Sequence, residues 1–397
     1  MTRTDLLIVG AGPAGLTLAW KAAEKGLRVT VIDKKKSADQ AAYLTSASFI
    51  NLREWGIPDE IAQPIDTLHL ASRNAFVTVH GLGQMINRRK LLAFLAQQAE
   101  RRGAQLWFQS TVTDVRIERE GIQRITVASQ SATHDFSATV FADCSGVGRV
   151  LEQYFQLVPQ RRVKQALGVE CLVPLRSEPH TIDLYFGSHF GRGYGWLFPL
   201  DGRTAILGYG TLDQAKFRNA PRLLDRMFEF RRVSARAEHT VLEVNGGIFR
   251  SGAPLRQFHH KNLILVGDIA LQGNPVIGEG LRFVMDAARM AADAVTQAIQ
   301  DNDLTALGRY SATWVKTYYH QYRAGYLTQL FTSLLTAQDR LCDETVRRLR
   351  RLPPHALLRT IHGEVGYDNA IKKLLAVCLA RISMRYLFRG RVAAPQP

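Results

Sequence analysis

The stretch from Asp5 to Asp33 constrains this chain more than any other. Asp5 to Val9 is a short apolar run of the kind buried in a parallel sheet, and it passes directly into Gly10-Ala-Gly12-Pro13-Ala14-Gly15. A helical stretch to Lys25 follows, then Val29-Thr-Val-Ile-Asp33. Strand, glycine turn, helix, second strand and terminal acid make a complete βαβ unit. Each glycine has its own task. Gly10 permits the tight turn, Gly12 lets a pyrophosphate approach the backbone, and Gly15 lets helix and strand pack closely. The helix opening at Pro13 and Ala14 offers N–H donors and partial positive charge to phosphates, and Asp33 is placed to accept from ribose hydroxyls. The unit predicts a bound dinucleotide without saying which one. Lys34-Lys35-Lys36, immediately after it, reads as a solvated loop, with a preference for a phosphorylated cofactor or substrate as the alternative.

Two later segments narrow the choice. Val266-Gly267-Asp268-Ile-Ala continues through Pro275 to Gly278-Glu279-Gly280 and a helix. It resembles the Gly-Asp motif of flavoprotein monooxygenases and their relatives, in which the Asp binds the ribityl chain of FAD. Ile86-Asn-Arg88-Arg-Lys-Leu91 resembles the family's cofactor-touching Arg at a helix start, with Arg89 as the alternative. Asp143-Cys-Ser-Gly146 is similar to the segment where many relatives carry Asp-Gly, and Ser145 before the glycine resembles the geranylgeranyl reductase branch. From Asp5 to Gln300 the chain therefore resembles the FAD-dependent p-hydroxybenzoate hydroxylase superfamily. The resemblance implies FAD held by Gly10, Gly12, Pro13, Ala14, Gly15, Asp33, Arg88, Gly146, Gly267, Asp268, Pro275, Gly278 and Gly280.

The branch is argued from Tyr194-Gly-Trp196-Leu-Phe198-Pro199, followed by Gly208-Tyr-Gly210. This resembles the substrate-domain signature of geranylgeranyl reductases, although Gly191 stands where that signature usually begins with proline. An isolated prenyl double bond is not polarised by a carbonyl, so hydride must meet a carbon with cationic character. Aromatic faces stabilise such a carbon, and an apolar cavity excludes water. Strand alternation puts Tyr194, Trp196 and Phe198 on one face, where they would line that cavity. Glu279 reads either as a proton source or flavin contact, or as an acid suiting the dipole of the helix it opens.

The implied function is FAD-dependent reduction of carbon–carbon double bonds in an isoprenoid or similarly long apolar substrate. Its rivals are a flavin-dependent monooxygenase or halogenase, a carotenoid-type cyclase, and a non-catalytic lipid-binding module. No second strand-GxGxxG-helix unit is present, so NAD(P)H must visit transiently or a carrier must bring the electrons. The eleven histidines show no His-Glu-x-x-His or comparable cluster, so no metal is expected.

The expected fold is α/β: a Rossmann-like FAD domain (1–70, 86–160 and 258–305), an interleaved antiparallel-sheet substrate domain (71–85 and 161–257) and a helical C-terminal region (306–397). Four widely spaced cysteines exclude a secreted disulfide framework and fit a reducing cytoplasm. No apolar run reaches the roughly 18 residues of a membrane span. The net charge is +16, and Leu341 to Pro397 carries 11 Lys or Arg against 4 Asp or Glu. No zinc-finger or RNA-binding motif accompanies these charges, so nucleic acid is not the expected partner. Between Ile371 and Arg391, apolar residues gather on one helical side flanked by Lys372, Lys373, Arg381 and Arg385. That layout suits a helix lying on the inner face of a membrane as well as one packed on the protein's own core.

Overall fold

The computed structural model describes residues 2–361, save 131, 214, 216–219, 277 and 337. Its strands are β1 (Thr2–Val9), β2 (Val29–Ile32), β3 (Thr45–Ser48), β4 (Ala62–Ala71), β5 (Phe76–Asn87), β6 (Gln105–Trp107), β7 (Thr111–Glu118) and β8 (Gly121–Ala128) in the first part of the chain. They continue as β9 (Thr133–Asp143), β10 (Val163–Pro174), β11 (Thr181–Tyr185), β12 (Gly193–Pro199), β13 (Thr204–Thr211), β14 (Glu243–Gly252), β15 (His259–His260) and β16 (Leu263–Leu265). The helices are α1 (Pro13–Glu24), α2 (Arg88–Arg101), α3 (Ala220–Met227), α4 (Arg231–Arg236), α5 (Leu281–Gln300), α6 (Gly308–Leu335), α7 (Asp339–Leu349) and α8 (Pro354–Ile361).

The strands form two sheets. The first runs β15-β16-β9-β1-β2-β6, with the β7–β8 hairpin continuing from β9. Its β1, β2, β6, β9 and β16 are mutually parallel, as a doubly wound dinucleotide-binding sheet requires. Leu6, Leu7, Ile8, Val29, Val31 and Ile32 are buried on both faces, which explains why these strands read as continuous apolar runs. Helices α1 and α5 pack together in this core through Leu16, Ala19, Ala288 and Ala291.

The second sheet runs β14-β10-β13-β12-β11-β4-β5-β3 and is antiparallel except where β11 pairs with β4. Residues 45–48 and 62–70, expected in the cofactor domain, contribute strands β3 and β4 to this second sheet instead. The β4–β5 ladder, Leu68 opposite Val79 and Leu70 opposite Val77, needs the neighbouring β11 to bury it, so local pattern gave little sign of it. One face carries Val173, Leu197, Leu207 and Tyr209 under Leu223 and Met227 of α3 and Val233 of α4. The other face carries Leu68, Leu184, Trp196 and Ile206, covered by Val346 of α7 and Leu357 of α8. Helix α7 is fastened there by acids: Asp343 accepts from Ser72 Oγ (2.6 Å) and from Asn74 N and Nδ2 (2.9 and 2.8 Å). Asp339 accepts from Ser188 N at 2.8 Å. The cationic segment 371–391 lies outside the described residues. Among the described residues, no helix is long and apolar enough to cross a membrane.

Candidate active site

The glycine turn has the form its spacing predicts. Gly10 adopts φ +109°, and a Cβ on it would fall 2.5 Å from the Cys144 carbonyl oxygen at the end of β9. A Cβ on Gly15 would overlap the Gly10 carbonyl oxygen. At Gly12, by contrast, an added Cβ would meet nothing within 4 Å: the backbone opening α1 faces free space, with no side chain capping it. Such an uncapped helix start suits a diphosphate. Asp33 accepts from Ala11 N (2.5 Å) and Lys35 N (2.8 Å), which fixes the carboxylate beside the turn and leaves further lone pairs for ribose hydroxyls. Lys35 is not simply solvated: its Nζ donates to the Ala11 carbonyl at 2.8 Å, and burial pulls its pKa down.

Two other motifs meet this turn. Gly267, at φ +91°, lies so close to α1 that a Cβ would come within 2.8 Å of Ala14 Cβ. Gly146, at φ +60°, abuts Asp268, whose Cβ would lie 3.7 Å from a Cβ placed there. Asp143 holds that loop, its carboxylate accepting from the backbone of Ser145, Leu151 and Glu152. Asp268 is exposed to solvent yet recessed enough that desolvation raises its pKa, against the pull of Arg88 and Arg250. Arg88, the first residue of α2, donates to Ser46 Oγ at 3.1 Å, whereas Arg89 faces outward in an ion pair with Glu243. Of the two arginines, Arg88 is the one beside Asp268.

Arg250, on β14, escapes sequence reasoning because no local motif surrounds it. It is 4 % exposed, donates to Gln160 Oε1 at 3.2 Å, and leaves Nε and Nη1 without a partner, as Arg88 leaves Nε. Buried guanidinium donors without acceptors are costly. Their position around Asp268, with the open Gly12 turn, fits a ligand that brings oxygen acceptors and a ribityl chain. The residues present fit FAD.

Gly278 connects this recess to the second sheet: at φ +72°, a Cβ there would lie 3.6 Å from the Phe249 ring and 3.9 Å from the Tyr194 hydroxyl. Gly280 caps α5, and Pro275 packs beneath α6, 3.0 Å from where a Cβ on Gly325 would sit. Glu279 is buried and accepts from Ser48 Oγ (3.1 Å) and Arg282 N (3.2 Å), and burial raises its pKa. Those bonds tie the start of α5 to β3.

Tyr194, Trp196 and Phe198 lie along one face of β12, with centroids 5.7 Å apart for the first pair and 5.8 Å for the stacked second pair. The trailing glycines explain the indole's pose: a Cβ on Gly208 would fall 2.7 Å from the Trp196 ring and one on Gly210 3.3 Å from it. Trp196 lies over bare backbone. Tyr43 does the same on the adjoining strands, packed over Gly168 and Gly247 and donating to the Gly247 carbonyl at 2.7 Å. Gly247, Gly168, Gly210 and Tyr194 form one cross-strand row; Asn245, Glu170, Gly208 and Trp196 form the next.

The fold is that of the two-domain flavoproteins, and comparisons with known proteins support an FAD-dependent oxidoreductase. The family model described as FAD dependent oxidoreductase matches residues 5–153. Within that class, the resemblance to geranylgeranyl reductases holds in the curated relatives. The chain is 28% identical over 324 residues to digeranylgeranylglycerophospholipid reductase 1 of Methanopyrus kandleri, covering 78% of this chain and 85% of that one. It is 25% identical over 383 residues to reductase 2 of the same organism, covering 91% and 93%. A geranylgeranyl bacteriochlorophyll reductase-like protein of Thermoplasma acidophilum superposes with a TM-score of 0.82 at 20% identity, over 94% of this chain and 99% of that one. A flavin-dependent brominase has a TM-score of 0.68 at 16% identity, over 98% and 100%. The solved structures share the fold.

Proposed function

We propose that this protein reduces carbon–carbon double bonds of an isoprenoid chain carried by a lipid. When bound, FAD supplies the hydride. The observation that carries the reading is the indole of Trp196 lying over Gly208 and Gly210 beside Tyr194, whose hydroxyl reaches Gly278 at the edge of the cofactor recess. An electron-rich face there stabilises cationic character on the alkene carbon that accepts hydride, and the apolar cover from α7 and α8 keeps water away. Relatives named for reduction of a geranylgeranyl lipid align over most of the chain, whereas the brominase shares the fold alone. That favours reduction over oxygenation, halogenation or cyclisation. NAD(P)H or an electron carrier restores the reduced cofactor in passing contact.

The test is anaerobic. Enzyme reduced with dithionite should saturate an ether lipid bearing geranylgeranyl chains, read by mass spectrometry as gains of two hydrogens. A strict need for oxygen, with hydroxylated or halogenated product, overturns the reading. Residues 371–391, with their flanking cations, are proposed to dock the enzyme on the anionic membrane that holds such a lipid, each cation adding about 1 kcal/mol. Co-sedimentation with anionic vesicles that survives Gln at Lys372, Lys373, Arg381 and Arg385 would contradict this.

A further inference from the structure

Alkene reduction needs a proton as well as a hydride, and one buried acid on the aromatic face of the second sheet borders the cofactor recess, facing Arg88. Glu170, on β10, is 2 % exposed. It lies directly across β13 from Trp196: both pair with Gly208, which has no side chain to separate them, and the indole leans over that glycine. One oxygen accepts from Leu44 N at 2.8 Å, so the backbone beside Tyr43 fixes the carboxyl group.

We infer that Glu170 is the proton donor of the double-bond reduction, an inference that rests on the reductase reading above. The π bond breaks as two C–H bonds form. One takes the hydride, and with it both electrons, from the reduced flavin; the other takes the proton from the Glu170 carboxyl. The carboxylate left behind regains a proton from water. The other acids of the region are engaged: Asp268 feels both Arg88 and Arg250, and Glu279 accepts from Ser48 Oγ and Arg282 N. The charged and titratable groups facing Glu170 are Arg88 from α2, Tyr43 from the loop before β3 and Glu243 from β14. Burial outweighs the Leu44 N–H and Arg88 and pushes its pKa up to about 7, so a large share of the group is protonated at neutral pH.

The test uses the full FAD-loaded chain. Difference infrared spectroscopy should show a protonated-carboxyl band that titrates near neutral pH in the wild type and is missing from Glu170→Gln. In single-turnover oxidation of dithionite-reduced enzyme by a geranylgeranyl lipid, Glu170→Gln should be slower by about a hundredfold or more while retaining FAD. Tyr194→Phe, which removes the competing hydroxyl, should be slowed less. If Glu170→Gln does not fold, the wild-type single-turnover rate decides: it should fall as pH rises past about 7, where the acid is lost. An unchanged rate in Glu170→Gln, a larger loss in Tyr194→Phe, no titrating band, or a flat pH profile overturns the inference and leaves the reductase reading standing. A wild-type enzyme that reduces no alkene overturns both.

Discussion

The two faces of the second sheet are built from alternate residues of the same strands, yet they are finished differently. On the face under α3 and α4, Val173, Leu197 and Leu207 fill the space with aliphatic volume. On the opposite face the central rows carry Gly168, Gly247, Gly208 and Gly210, and two large rings, Tyr43 and Trp196, lie on the backbone those glycines expose. A period of two lets one strand serve both purposes. Packed volume gives stability, and bare backbone gives an aromatic surface a fixed pose beside an acid.

That contrast can be broken from either side. The largest effect is expected from Leu207→Ala on the packed face: about 2–5 kcal/mol of stability in urea melts, with FAD binding by the folded fraction unchanged. Next comes Glu170. Its pKa is raised from 4.5 to about 7, so the native state keeps a proton that the unfolded chain releases between those values. Stability from this group is therefore full below pH about 4.5, declines as pH rises to about 7, and is then lower by on the order of 3 kcal/mol. Wild type should lose more stability than Glu170→Gln between pH 5 and 8; equal losses would show that the carboxyl does not titrate there. Asp268→Ala, in the recess, should weaken FAD retention by roughly 1.5–3 kcal/mol, about ten- to a hundredfold, when titrated by flavin fluorescence. The smallest effect is expected at Gly208→Ala, where the new methyl must push the indole aside at a cost of about 1–3 kcal/mol. Its signature is a shift in tryptophan emission; an unshifted spectrum would mean that the ring does not rest on Gly208.

The cofactor recess was largely legible because its residues come in local motifs. Gly10 to Gly15, Gly146, and Gly267 to Gly280 each combine a turn with a helix or strand end, and the fold brings them round Asp268. The aromatic row was legible for a similar reason: Tyr194, Trp196 and Phe198 lie two residues apart. Glu170, Tyr43 and Arg250 were not legible. Leu44 and Glu170 are 126 residues apart, and Tyr43 and Gly247 are 204 apart. No window along the chain joins such partners. Strand β14 gives little local signal because Gly246 and Gly247 break its apolar alternation, yet Gly247 admits the Tyr43 ring and Gly246 lets the Gly168 backbone approach.

The parallel pairing of β4 with β11 has a consequence for how the chain reaches its native state. Thr67 must find Thr181, and Ala71 must find Tyr185, across all of α2 and β6 to β9. The segment between those two strands carries β6 to β9 of the first sheet, so the second sheet closes only after chain belonging to the first has been made. Pairings of such long separation close late and slowly. As the ribosome releases the chain, the β4–β5 hairpin must therefore wait, half-covered, until β11 emerges. Neither sheet can be cut out as a contiguous fragment and be expected to fold alone.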